Sequence, residues 1–103
     1  MVVLAAAAIF WLVRLNRQYV RYEKAYAALQ PGESKKAVFE SFGPPAKIQG
    51  CEQYLSWDGV PVKLKQGQCA EQLWYYSRMS LEQWAIGLDA NGVVVSKDRL
   101  SSP

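Results

Sequence analysis

Leu73-Trp74-Tyr75-Tyr76-Ser77-Arg78-Met79, Gln83-Trp84-Ala85-Ile86-Gly87-Leu88 and Val93-Val94-Val95-Ser96-Lys97 follow one another with short polar links between them. Each run is rich in aromatic and β-branched residues, the composition that suits a pleated, half-buried strand. Alternation in the first run sends Leu73, Tyr75 and Met79 to one face and Trp74, Tyr76 and Arg78 to the other. In the second run it aligns Trp84, Ile86 and Leu88. Ser80-Leu81-Glu82 turns the chain between the first two strands, and Asp89-Ala90-Asn91-Gly92 is a hairpin turn between the last two. The stretch predicts a three-stranded antiparallel meander with Leu73, Tyr75 and Met79 beneath a helical layer and Trp74, Tyr76 and Arg78 on an open face.

The helical layer comes from the N-terminal half. Leu12, Leu15, Tyr19, Tyr22, Tyr26 and Leu29 recur at spacings of three and four, a single stripe along one helix. Arg14, Arg17, Arg21 and Lys24 fall off that stripe. The stripe spans too few heptads to favour a coiled coil, so its expected partner is the protein's own sheet. Pro31-Gly32 ends this helix. Ser34 is the expected N-cap of a second, short helix whose buried side is Ala37, Val38, Phe39 and Phe42, closed by Gly43 and Pro44-Pro45. The fold class expected is therefore α+β, an αα-hairpin packed on a three-stranded meander, with an inserted loop or hairpin at 46–72.

Met1 to Val13 is uninterrupted apolar sequence, followed by Arg14 and Arg17. Thirteen residues fall short of the roughly 20 that cross a bilayer, so the run reads as a spanning helix lacking its upstream end or as a signal-like core. It lacks the basic flank and small-x-small site of a cleaved signal. With Trp11 as an interfacial aromatic and Arg14, Arg17 and Arg21 beside the headgroups, the sequence favours a membrane anchor over a buried core helix. The expected division is an anchor at 1–15 and one small domain at 16–103. The anchor predicts a single-pass membrane protein with its domain outside the cytoplasm. The positive-inside count points the other way, toward the cytoplasm, unless a basic stretch precedes Met1.

Composition narrows the function. The 103 residues include no histidine, which removes the commonest general base and metal ligand. Two cysteines alone build no standard zinc site. No catalytic, cofactor or metal residues are assigned, and neither an enzyme nor a small-molecule binder is expected. The net charge of +3 sits almost wholly in residues 1–36, where six basic side chains face two acidic ones, giving +4; residues 37–103 sum to −1. A basic tail on a neutral fold does not make a nucleic-acid surface.

Residues 46–72 carry Cys51 and Cys69, eighteen positions apart, with Gly59, Pro61 and Gly67 between them. A disulfide between the two would staple the segment at both ends, and an even cysteine pair suits an oxidising compartment. Tyr54 to Trp57 reads as a short strand, Asp58-Gly59 as a turn and Val62-Lys63-Leu64 as its return. Trp57, with Trp74, Tyr76 and Arg78 on the open face, is a candidate partner-binding residue, since tryptophan, tyrosine and arginine dominate interface hot spots.

Leu29 to Pro45, with Gly32, Val38 and the Phe42-Gly43-x-Pro45 ending, resembles the helix-hairpin signature of the SmpA/OmlA (BamE-like) outer-membrane assembly lipoproteins. Trp74-Tyr75-Tyr76 is similar to that family's aromatic first strand, and Leu88-Asp89-Ala90-Asn91-Gly92-Val93-Val94 to its turn-Gly-Val hairpin. The resemblance covers roughly residues 25–98. It implies an α-α-β-β-β order and a non-catalytic envelope module that binds protein partners. The expected function is thus a membrane-anchored periplasmic scaffold or accessory protein of the bacterial inner membrane, single pass with the domain in the periplasm, in contact with membrane lipid and an envelope protein. The alternative is a module that inhibits or senses a partner through the open sheet face or the 46–72 loop.

Overall fold

The computed structural model describes residues 2–51, 55–64, 68–77 and 81–101, the side chains of Val2 and Ser101 excepted. Arg78, Met79 and Tyr54 therefore lie outside the described residues. Two helices, α1 (Val2–Ala28) and α2 (Lys35–Phe42), precede six strands. These are β1 (Lys47–Gln49), β2 (Ser56–Trp57), β3 (Val60–Pro61), β4 (Glu71–Tyr76), β5 (Glu82–Leu88) and β6 (Val94–Ser101), in one sheet of order β1-β4-β5-β6-β2-β3.

The αα-hairpin follows from its caps. α1 stops at Ala28, three residues before Pro31. Ser34 is the N-cap of α2, its Oγ accepting from the Ala37 amide at 3.2 Å. The Gly43 amide donates to Phe39 O at 2.9 Å and closes the helix. Of the four residues expected to be buried, Val38 and Phe42 reach the core, whereas Phe39 stays exposed beside the Lys35 ammonium.

The central strands form the antiparallel meander, β4 pairing β5 with Leu73 opposite Ile86, and β5 pairing β6 with Ile86 opposite Lys97. Asp89 closes the last hairpin, its Oδ1 accepting from the Asn91 and Val93 amides at 2.8 and 2.9 Å. Beneath the helices lies a nest of rings: Tyr22 is 5.4 Å from Tyr75 and 5.2 Å from Trp84, and Phe42 is 4.8 Å from Tyr75. Tilted pairs at such distances are favoured by the ring quadrupoles. Leu73 and Tyr75 face the helices as the alternation requires, and the Tyr75 hydroxyl donates to Gly43 O at 2.9 Å.

Among the described residues the sheet has six strands, not three. Segment 46–61, expected as an insertion, supplies the other three. β1 adds to the free edge of β4, with Ile48 opposite Leu73. β2 and β3 form a hairpin around Asp58 (φ 53°) and Gly59 (φ 89°). Consecutive positive φ values are what a two-residue Asp-Gly hairpin demands. β2 then joins β6 in parallel, Trp57 opposite Lys97. The short strand ending at Trp57 and the Asp58-Gly59 turn are as expected, but the return strand is Val60–Pro61 and not 62–64. β1, three residues long, is too short to show a period of two, and the sequence does not announce it.

The membrane anchor is also overturned. No helix among the described residues is long and apolar enough to cross a membrane. The described apolar run, from Val2 to Val13, gives roughly 18 Å of helix against a hydrocarbon core of about 30 Å. Arg14, Arg17 and Arg21 fall in the rest of the length that a span would need. The expected transmembrane helix, signal anchor and single-pass inner-membrane location thus find no spanning helix among the described residues. α1 runs unbroken past residue 15.

Candidate functional site: a basic groove beside an exposed helical arm

The C-terminal half of α1 is docked on the sheet. Tyr22, Ala25, Tyr26 and Leu29 are buried, and Tyr19 packs edge-on against Trp84 at 5.8 Å. Glu23 accepts from the Trp84 indole at 3.2 Å and pairs with Arg99 at 2.6 Å. The Lys97 ammonium, 6% exposed, reaches up from β6 to the helix end and donates to Tyr26 O at 2.7 Å and Leu29 O at 3.3 Å. A cation there complements the negative end of the helix dipole. The Tyr26 and Trp57 rings flank the same ammonium at 4.6 and 5.1 Å. The Tyr26 hydroxyl donates to Asp58 Oδ1 at 2.6 Å. Burial, then this carboxylate, pushes the Tyr26 phenol well above its ordinary range. One lysine thus ties helix, sheet and hairpin together.

The N-terminal half leaves the body. The same stripe that is buried from Tyr22 onward is only partly covered at Leu15 and exposed at Leu12. Val3, Phe10 and Trp11 are 81%, 62% and 56% exposed, with Leu4, Ile9 and Val13 exposed beside them. Contiguous apolar surface of this kind marks interaction sites in folded proteins.

A second stripe, Trp11, Arg14, Arg17, Arg21 and Lys24, runs along an adjoining face of α1. Trp11, Arg14, Arg17 and Arg21, expected at a lipid boundary, line a groove of about 590 Å³ that also touches exposed Pro44 and the buried Phe42. Arg14 lies 5.7 and 5.9 Å from the Phe10 and Trp11 rings. Arg21 is held at the closed end, its Nε donating to Ser41 O at 2.9 Å. Among the described residues none of Arg14, Arg17, Arg21 and Lys24 has a carboxylate partner; the ion pairs Lys35–Glu71 and Arg99–Glu23 use other side chains. The cations are legible in the sequence but the groove is not, because it needs the turn after α2 to form.

The remaining candidates are placed differently. Trp57 is half-buried and spent on Lys97. Trp74, on the face away from the helices, is 6% exposed and stacks with half-buried Tyr76 at 6.5 Å. Gln72, Ala85 and Ser96 on that face are buried as well. The cover includes the Cys51–Cys69 disulfide, which forms as expected with Cα atoms 5.9 Å apart. Its Cys69 sulfur would sit 3.2 Å from a β-carbon at position 87, and Ser96 Oγ would sit closer still, so only glycine fits there. Trp57 and Trp74 are on opposite faces of the sheet and are not brought together. Among the described residues no group of three His, Cys, Asp or Glu could hold a metal ion.

A comparison with protein-family models, curated proteins and solved structures found no match to this chain.

Proposed function

We propose that this chain is a non-catalytic protein-binding module whose αβ body holds out the N-terminal arm of α1 for a partner. The carrying observation is the exposure of Val3, Leu4, Ile9, Phe10 and Trp11 on a helix that is otherwise well anchored. A helix apolar on all sides is ordinarily a buried one. The chemistry available elsewhere is structural: there is no histidine, and the Lys97 amine is engaged in capping α1. The resemblance of residues 25–98 to the SmpA/OmlA family supports an accessory role in the cell envelope. The disulfide is consistent with an oxidising compartment.

The test replaces Phe10 and Trp11 together by serine in the full chain and measures its native size in the source cells. Because both side chains are exposed, the melting temperature should stay within about 2 °C of wild type. The wild-type chain should run in a larger hetero-assembly and the variant at monomer size. Identical native sizes for the two would defeat the proposal.

A further inference from the structure

The occupant of the groove can be narrowed by its chemistry. We infer that the groove between α1 and the end of α2 binds an acidic, amphipathic helix of a partner protein, an inference that rests on the binding-module reading above. Charge carries the first step. Four cations, Arg14, Arg17, Arg21 and Lys24, lie within eleven residues of α1, a length of about 15 Å. Neighbours three or four apart repel within a Debye length, and each such pair weakens the helix by a few tenths of a kcal/mol. No carboxylate among the described residues relieves them. An external set of carboxylates at the same spacing would.

Shape carries the second step. Arg14, Arg17 and Arg21 border a concave groove that α1 shares with Pro44 at the end of α2. A flat bilayer surface meets ridges and cannot enter a trough, whereas a helix can. Arg21, fixed on Ser41 O, presents its guanidinium in a set orientation. A fixed guanidinium matches a carboxylate bidentately with little further ordering.

The apolar surface carries the third step. Arg17 borders this groove and also the neighbouring depression lined by Ala6, Ile9, Phe10 and Val13. The track is therefore apolar at one end and cationic at the other. The complementary ligand is a helix of about five turns with large apolar side chains at one end and three or four Glu or Asp at the other. Hydrophobic contact at Phe10 and Trp11 supplies affinity, and the arginines set register and orientation.

The experiment titrates the full chain into a fluorescent 18-residue probe helix with Leu and Phe at one end and four Glu at spacings of three and four. Controls are its Lys-for-Glu counterpart, a scrambled peptide of the same composition, and vesicles of phosphatidylcholine with phosphatidylglycerol. The acidic probe should bind, about tenfold more weakly to an Arg14→Glu, Arg17→Glu double variant, and progressively more weakly with added salt. Both arginines are exposed, so circular dichroism should show that variant folded as the wild type is. Lys47→Glu should bind the probe as the wild type does. Equal binding of the Lys counterpart or the scramble would overturn the inference, as would no binding of the acidic probe. Vesicle binding without probe binding would overturn it in favour of an anionic surface. If the Phe10, Trp11 double variant loses its assembly while the acidic probe fails to bind, the module stands and the acidic occupant falls.

Discussion

Replacing Lys97 by methionine removes one charge from the core at nearly constant volume, and the structure supplies the magnitude. The 2.7 Å bond from the ammonium to Tyr26 O is charge-assisted, a contribution of about 1.5–3 kcal/mol. The 3.3 Å bond to Leu29 O is long enough to add little. The two rings at 4.6 and 5.1 Å contribute about 1 kcal/mol between them. Against these stands the cost of desolvating an ammonium, which methionine avoids. The Tyr26 carbonyl keeps a partner in the Leu29 amide, whereas the Leu29 carbonyl loses Lys97. The expected net loss is about 2 kcal/mol, or roughly 10 °C in melting temperature for a domain of this size. Urea unfolding followed by tryptophan fluorescence measures it, with the slope unchanged if only the native state is affected. A Lys97→Met, Trp57→Ala double-mutant cycle should show a coupling near 1 kcal/mol. A Lys97→Met variant as stable as the wild type would refute the assignment of this lysine as the cap that fastens α1 to the sheet.

Ser96 Oγ is fully buried without a hydrogen-bond partner, so Ser96→Ala should be neutral or stabilising by about 1 kcal/mol. Gly87→Ala should cost about 1–3 kcal/mol by clashing with Ser96 and the disulfide, and should cost less in the Ser96→Ala background; equal costs in both backgrounds would contradict that packing. Cys51→Ala with Cys69→Ala should lower stability by about 3 kcal/mol, since the bridge closes 18 residues, and a thiol count on unreduced, denatured wild-type protein should find none free. The Tyr26 and Tyr75 phenols are both raised above the ordinary 10.0, chiefly by burial, and for Tyr26 next by Asp58. Unfolding releases them to ionise near pH 10, so the unfolded chain binds fewer protons above that pH. Their stabilisation is whole below pH 10 and is lost as pH rises beyond it; Tyr75→Phe should flatten that decline, and an unchanged slope would show the phenol is not a contributor.

What the sequence disclosed follows from how each feature is encoded. Local signals were legible: the Ser34 cap, the Gly43 stop, the Asp89–Gly92 turn and the alternation that buries Leu73 and Tyr75 each depend on neighbours a few residues away. The disulfide was legible from spacing and loop composition. The parallel contact of Trp57 with Lys97 was not, because forty residues separate partners that share no pattern. Nor was the cover over Trp74, since alternation says which face a side chain takes and not what lies above it. The expected membrane anchor came from extending a thirteen-residue run, short of a span on its own, by a supposed upstream end. The groove escaped because Arg14 and Arg17 are distant in sequence from Phe42 and Pro44.

The most direct test of the binding-module account is site-specific photo-crosslinking from the full chain in its source cells, with the reactive group placed at Leu4, Phe10 or Arg17 on α1. Val60 on β3 and Leu81 before β5, both exposed, serve as controls away from α1. The account predicts one discrete adduct to a different protein from each α1 position and none from Val60 or Leu81. Adducts of equal yield from all five positions, or no protein adduct from α1, would contradict it.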